Sequence, residues 1–298
     1  MDIVFSETSN IPTPGPPDLL SAVDLLYYAA LLAGMGGLSR QIAAELSAPL
    51  STSTANDRTC IDGGSPLIFS VLAPGQRCLR VLVRQGPAEE GCLPWLRMYY
   101  LPGGKVERWR TLAFVSEPAT AWEHARCAAE RVGGLDAFCQ THAILGPYSR
   151  LYCVDLRIGE AQAWVGWQLD RTLPVTQALE MLGYKQAWPA AVGLWEALFG
   201  QAPHPRIGPW SLSILLGGES RWRLGSTNWT RRIEDPEKRR RFATLVDRQG
   251  GDRRFAESLY KLIESTGQSG RLRAIGRALE LEFKDDRAEL AEFYLRMP

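Results

Sequence analysis

"RLYCVDLRIGEAQAWVGWQL", residues 150–169, holds two apolar runs on either side of Gly159-Glu160. Turn residues flanked by β-branched and aromatic residues read as a β-hairpin. Each run also alternates. Tyr152, Val154, Leu156 and Ile158 share one face of the first strand, against Cys153, Asp155 and Arg157. Ala163, Val165, Trp167 and Leu169 share one face of the second, against Trp164, Gly166 and Gln168. A hairpin with one greasy face must bury that face against another layer. The next segment supplies the layer: "PVTQALEMLGYKQAWPAAVGLWEALFG", residues 174–200, reads as helix broken near Pro189.

The same unit recurs along the chain. "SPLIFSVLA" and "RCLRVLVRQG" flank Pro74-Gly75, and "WLRMYYL" and "VERWRTLAFV" flank Pro102-Gly103-Gly104. "WSLSILL" and "SRWRLGSTNW" flank Gly217-Gly218, and "RAIGRALELEF" and "AELAEFYLRM" flank residues 284–287. Helical patterns fill most of the gaps: residues 18–48, 120–142 and 236–265, the last opened by Asp235 as N-cap and Pro236 at the first helical position. Residues 1–17 are a Pro-rich lead-in, and residues 18–298 read as a single domain. Hairpins impose antiparallel neighbours. Ten such strands with helical covers make either a very wide open sheet or a closed barrel, and closure removes the exposed edges. The expected fold is α+β: a ten-stranded antiparallel β-barrel ringed by α-helices.

With helices outside, the greasier face of each strand points outward and the other face lines the lumen. That rule sends Arg80, Leu82 and Arg84 inward, together with Asp155, Arg157, Trp164, Gly166, Arg221, Arg223, Glu280 and Glu282. Residues 106–115 do not decide: Arg108 and Arg110 share a face with Leu112 and Phe114, against Glu107, Trp109 and Thr111. In the last strand one assignment puts Glu292, Tyr294 and Arg296 inside. Arginine presents a fixed fork of donors that matches phosphate oxygens. A lumen of arginines and aromatic rings therefore suits a solvated cavity that binds a polyanion beside an aromatic wall.

Bulk properties narrow the classes. Net charge is +1, which offers no strong field for nucleic acid. The six cysteines show no CxxC spacing and the three histidines are scattered, so free thiols in a cytoplasmic compartment are expected and a zinc site is not. "LLYYAALLAGMGGLS", residues 25–39, is too short and Gly-rich to span a bilayer and reads as a buried helix. "DDRAE" (285–289) falls in a hairpin turn, "KRRR" (238–241) on a solvated helix face, and "LPGGK" (101–105) in a turn rather than a phosphate loop.

The repeated hairpin-plus-helix pattern, with "CLRVLV", "LYCVDLRIGEAQAWVGWQLDRTLP", "IGPWSLSILLGGESRWRLGS" and "AEFYLRM", resembles the ABBA-type prenyltransferases over most of residues 60–298. Within that group it is most similar to the peptide prenyltransferases of cyanobactin-type pathways. The resemblance implies transfer of a C5 or C10 isoprenyl group from dimethylallyl or geranyl diphosphate to a nucleophilic side chain of a ribosomal peptide. Arg80 resembles the diphosphate arginine of the second strand, Asp62 the catalytic acidic residue near the nucleophile that takes its proton, and Tyr294 a tyrosine that contacts diphosphate. The family's basic ligand in the middle hairpin is missing from "AWVGWQL"; Arg157, Arg221 or Arg223 are candidate substitutes, and Arg296 joins the donor set. Trp164 is either barrel packing or substrate contact. Glu280 and Glu282 either pair with lumenal arginines or hold a cationic acceptor. Mg²⁺ is expected on the diphosphate, with few protein ligands. A monomer with no nucleic-acid or membrane partner is expected. The alternatives are prenylation of a small aromatic molecule, and a non-catalytic barrel that binds an anion or peptide.

Overall fold

The computed structural model describes residues 22–51, 67–74, 79–85, 92–101, 105–114, 118–170, 172–199, 210–226, 236–265, 278–285 and 287–296. Among these residues are ten strands: β1 (Leu67–Ala73), β2 (Leu79–Arg84), β3 (Cys92–Tyr100), β4 (Val106–Phe114), β5 (Ser149–Arg157), β6 (Ala163–Leu169), β7 (Trp210–Leu216), β8 (Arg221–Ser226), β9 (Ala278–Lys284) and β10 (Arg287–Arg296). Eight helices accompany them: α1 (Ala22–Leu32), α2 (Ser39–Ser51), α3 (Pro118–Arg131), α4 (Leu135–Leu145), α5 (Val175–Met181), α6 (Ala187–Phe199), α7 (Pro236–Arg248) and α8 (Arg253–Ser265). The helices come in pairs, one pair before β1 and one in each gap β4–β5, β6–β7 and β8–β9. The β2–β3 gap is too short for one. The Pro-rich residues 1–17 and Asp62 lie outside the described residues.

Every strand pairs antiparallel with its sequence neighbour, and β1 pairs with β10, so the sheet closes into a barrel. All five hairpin turns therefore fall at one rim and the connections between hairpins at the other. Lys284 at the end of β9 is paired with Arg287 at the start of β10, so "DDRAE" spans a hairpin turn and the start of a strand, not a helix.

The apolar faces point outward as the alternation requires. Phe69, Val81, Trp167, Trp222 and Phe283 are fully buried between barrel and helices. Trp222 is stacked between Tyr184 and Phe283, with ring centroids at 4.4 and 4.2 Å, and its Nε1 donates to the Asp285 carbonyl at 2.7 Å. The undecided strand is β4. Arg108 Nη2 donates to Glu45 Oε1 of α2 at 2.6 Å on the outside of the barrel, so Glu107, Trp109 and Thr111 face the lumen.

Three local expectations are corrected. Residues 120–142 form two helices, not one, and the break in residues 174–200 lies before α6 rather than at Pro189. Gly133 and Gly183 supply both breaks at φ +70° and +83°, a region that L side chains rarely adopt. Pro189 stands in the first turn of α6, where its missing N–H has no helical partner to lose. The third correction is Tyr152, expected outside. A β-bulge between Leu151 and Cys153 shifts the register, and the Tyr152 ring packs over Gly166 on the inner face. Ile158 lies past the end of β5 and is exposed.

Candidate active site

The hairpin rim opens into a cavity of about 400 Å³, within the range of about 300–1,000 Å³ usual for small-molecule pockets. Its walls carry Arg80, Arg157, Arg221 and Arg223, the rings of Tyr99, Trp109 and Trp164, and Leu215. Tyr99, Trp109 and Trp164 form an apolar cluster of their own, separate from the core outside the barrel. Strand register explains the mixture. Arg80 on β2 is paired with Tyr99 on β3, and Arg157 on β5 with Trp109 on β4, so a guanidinium and a ring occupy neighbouring inward positions. The Arg80 guanidinium lies 3.7 Å from the Tyr99 ring centroid, and Arg223 lies 3.7 Å from that of Trp164. Arg157 is 5.6 Å from that of Trp109. Such contacts hold flat guanidinium groups against the wall and add attraction to the π-faces.

Each of these arginines also meets a carboxylate. Arg80 Nη1 is 2.8 Å from Glu292 Oε2, and the other Glu292 oxygen accepts from Ser70 Oγ at 2.6 Å. Arg223 Nη2 and Arg221 Nη1 each lie 3.0 Å from Glu282, on opposite oxygens. Arg221 also reaches Glu289 at 3.0 Å. Arg157 is shared between Glu107 at 3.3 Å and Glu160 at 2.8 Å. Arg97, which the outward-face rule left unassigned, points into the lumen beside Asp155 at 3.2 Å and donates to the Tyr99 hydroxyl at 3.5 Å.

The charges set one another's protonation. Burial alone would raise the Glu292 carboxyl, but the guanidiniums of Arg80, Arg97 and Arg223 and the Ser70 hydroxyl outweigh it and hold it below its ordinary 4.5. Burial pushes the Tyr99 hydroxyl up despite Arg80 and Arg97, so it stays protonated at neutral pH. Burial would lower Arg223, and Glu282 and Glu280 more than reverse that.

Deeper in, the lumen is filled. A methyl group on Gly166 would collide with the Tyr152 ring and meet Cys153 Sγ and Ser213 Oγ, both at 2.9 Å. Burial pushes the Tyr152 hydroxyl and the Cys153 thiol well up, so both remain neutral.

Of the residues singled out from sequence, Arg80, Arg157, Trp164, Arg221, Arg223 and Glu282 converge on the cavity. Glu280 is paired with Gly225 and lies against the position a side chain there would fill. Glu282 pairs with Arg221 and Arg223, the first of the two alternatives left open for it. Tyr294 and Arg296 pair in backbone register with Ser70 and Ile68, and their side chains lie outside the described residues. Arg97, Tyr99 and Trp109 were missed. Their strands, β3 and β4, carry apolar or charged residues on both faces, so alternation alone could not orient them. Among the described residues no three His, Cys, Asp or Glu side chains converge as a metal site. No described helix is long and apolar enough to cross a membrane.

Comparison with known protein families finds no match, and no curated protein matches the sequence. Solved structures do match. The prenyltransferase PriB is 15% identical, with a TM-score of 0.64 over 95% of this chain and 96% of its own. The 5-dimethylallyltryptophan synthase of Streptomyces coelicolor is 17% identical, with a TM-score of 0.63 over 91% and 95%. AnaPT of Neosartorya fischeri is 10% identical, with a TM-score of 0.59 over 97% and 95%. PriB has been solved with product diphosphate, and the Streptomyces synthase with an allylic thiolodiphosphate, DMASPP, and tryptophan. At these identities the shared property is the fold: a closed ten-stranded antiparallel barrel with its ring of helices.

Proposed function

We propose that this barrel is a prenyltransferase that moves a C5 or C10 isoprenyl group from an allylic diphosphate to an electron-rich nucleophile. The observation that carries the reading is the set of guanidiniums from β2, β5 and β8 held against aromatic rings at one cavity mouth. Diphosphate accepts from arginine forks, and as it departs, the allylic cation forms against π-faces that stabilise it and exclude water. Preorganised positive charge on the leaving group contributes the largest share of rate in such sites.

The carboxylates shape how the donor enters. Glu282 and Glu292 hold Arg221, Arg223 and Arg80 in place before substrate arrives. They also neutralise much of the charge that a trianion would seek. The cavity carboxylates are occupied by guanidiniums, so no described side chain would hold a Mg²⁺ ion; one carried in with the diphosphate would supply charge neutralisation of the leaving group.

Two acceptors fit. The likeness to cyanobactin-type sequences supports a peptide side chain, and the tryptophan bound to the Streptomyces synthase supports a small indole. Incubation of the full chain with dimethylallyl or geranyl diphosphate, Mg²⁺, L-tryptophan and a peptide library, followed by mass spectrometry, separates them. A C5 or C10 mass gain on peptide or on tryptophan identifies the acceptor. No gain on either, with no calorimetric binding of dimethylallyl thiolodiphosphate with or without Mg²⁺, contradicts the reading in favour of a non-catalytic barrel.

A further inference from the structure

Among the buried side-chain polar atoms without a hydrogen-bond partner in the described residues, three fall on one strip of the lumen wall: Trp109 Nε1, Thr111 Oγ1 and Asp155 Oδ1. Trp109 and Thr111 are two residues apart on β4, hence on one face, and Asp155 is the direct β5 partner of Thr111. Asp155 is also paired with Trp164 on β6. Trp109 and Trp164 line the cavity, and Thr111 and Asp155 stand in strand register directly beside them. The three residues are only 7%, 5% and 3% exposed. A buried polar atom without a partner is costly, and the cost is ordinarily avoided. Three on adjacent positions mark a place shaped for a group that arrives from outside.

Two of the other lumenal acids have both oxygens committed. Glu292 has one oxygen on Arg80 and the other on Ser70. Glu282 has one on Arg221 and the other on Arg223. Asp155 meets Arg97 through Oδ2 at 3.2 Å, while its Oδ1 has no hydrogen-bond partner among the described residues. The Tyr99, Tyr152 and Cys153 side chains beside it stay protonated through burial and cannot take a proton at neutral pH.

We propose that this strip is the acceptor end of the site, and that Asp155 Oδ1 takes the proton of the nucleophile. The inference rests on the prenyl-transfer reading above. The acceptor is a group that donates an N–H or O–H to Asp155 and accepts from Trp109 Nε1 or Thr111 Oγ. In the step, the allylic C–O bond breaks and its electron pair leaves with diphosphate. The nucleophile's electron pair forms the new bond to the allylic carbon, and its hydrogen passes as a proton to Asp155 Oδ1. This gives a described residue the task that sequence resemblance had assigned to Asp62.

The test compares the full chain with its Asp155→Asn and Thr111→Val variants. Three quantities are read: calorimetric binding of dimethylallyl thiolodiphosphate, melting temperature, and prenyl transfer to L-tryptophan and to the peptide modified by the parent. Asp155→Asn is expected to bind the thiolodiphosphate within about threefold of the parent while transfer falls about 100-fold or more, the range of a general base. Thr111→Val is expected to raise the acceptor KM with little change in kcat. Transfer by Asp155→Asn within threefold of the parent overturns the proposal. So does a loss of donor binding in step with transfer, which marks a structural role. Should the Asn variant fail to fold, Asp155→Glu keeps the charge beside Arg97 and displaces the oxygen by one methylene. Impaired transfer with intact donor binding then supports the proposal, and unchanged transfer overturns it. A parent that neither binds the thiolodiphosphate nor transfers a prenyl group brings down the prenyl reading and this proposal with it. A parent that does both, beside a fully active Asp155→Asn, removes this proposal alone.

Discussion

Arg80 and Glu292 show how one residue can serve both stability and binding. Arg80→Ala is expected to abolish turnover with dimethylallyl diphosphate, because it removes a fork from the donor cradle. It also strands Glu292, which is 3% exposed, and breaking one side of a buried ion pair costs about 3–5 kcal/mol. The double variant Arg80→Met, Glu292→Gln removes both charges, so urea unfolding should return most of that stability while donor binding stays lost. Stability equal to the parent in Arg80→Ala would contradict the pairing. The pH dependence has a definite sign. The Glu292 carboxyl is held below 4.5 in the folded protein, so its contribution is present above that value and disappears as pH falls through the folded one. Urea midpoints measured between pH 3 and 6 should fall less steeply with acid in Glu292→Gln. The sequence made the inward position of Arg80 legible through Leu79, Val81 and Val83. Its partner was not, because a contact between β2 and β10 spans residues 80 to 292 and depends on the seam that closes the sheet.

At the level of strands and helices, the hairpins were the readable part. Four of the five turns carry Gly or Pro, and outward faces alternate cleanly, as in Ala163, Val165, Trp167 and Leu169. Reading failed where a strand is apolar or charged on both faces, as in β3 and β4, and where a bulge adds one residue, as at Tyr152. It also failed for helix breaks, because a glycine inside a helical pattern does not announce its φ. Trp222 illustrates what the outer layer contributes. Its ring is sandwiched by Tyr184 and Phe283 and its N–H is satisfied, so Trp222→Ala leaves a large void between barrel and helix pair. A loss of about 3–5 kcal/mol is expected from truncating such a ring, read as a lower melting temperature. Thiolodiphosphate affinity should remain within a few-fold of the parent below that temperature, because Trp222 faces away from the cavity. A large loss of affinity with little loss of stability would contradict that division between the two faces of β8.

For the molecule as a whole, closure of β1 on β10 turns a ten-stranded sheet into a container with different ends. The hairpin rim carries the cavity, and the described side chains below it crowd against Gly166. Among the described residues this cavity opens at the hairpin rim, so a donor and an acceptor that both enter there share one doorway, and this shapes the kinetics. Whichever substrate lies deeper must enter first and leave last. A high concentration of the outer substrate then re-enters before the inner product escapes and stalls the cycle. Initial rates over a grid of donor and acceptor concentrations should show an obligatory order, with inhibition by excess of the second substrate. A random-order pattern without such inhibition would mean traffic by a second route. Queueing at the hairpin rim is thus a joint product of the closed sheet and of the side chains that crowd the lumen around Gly166.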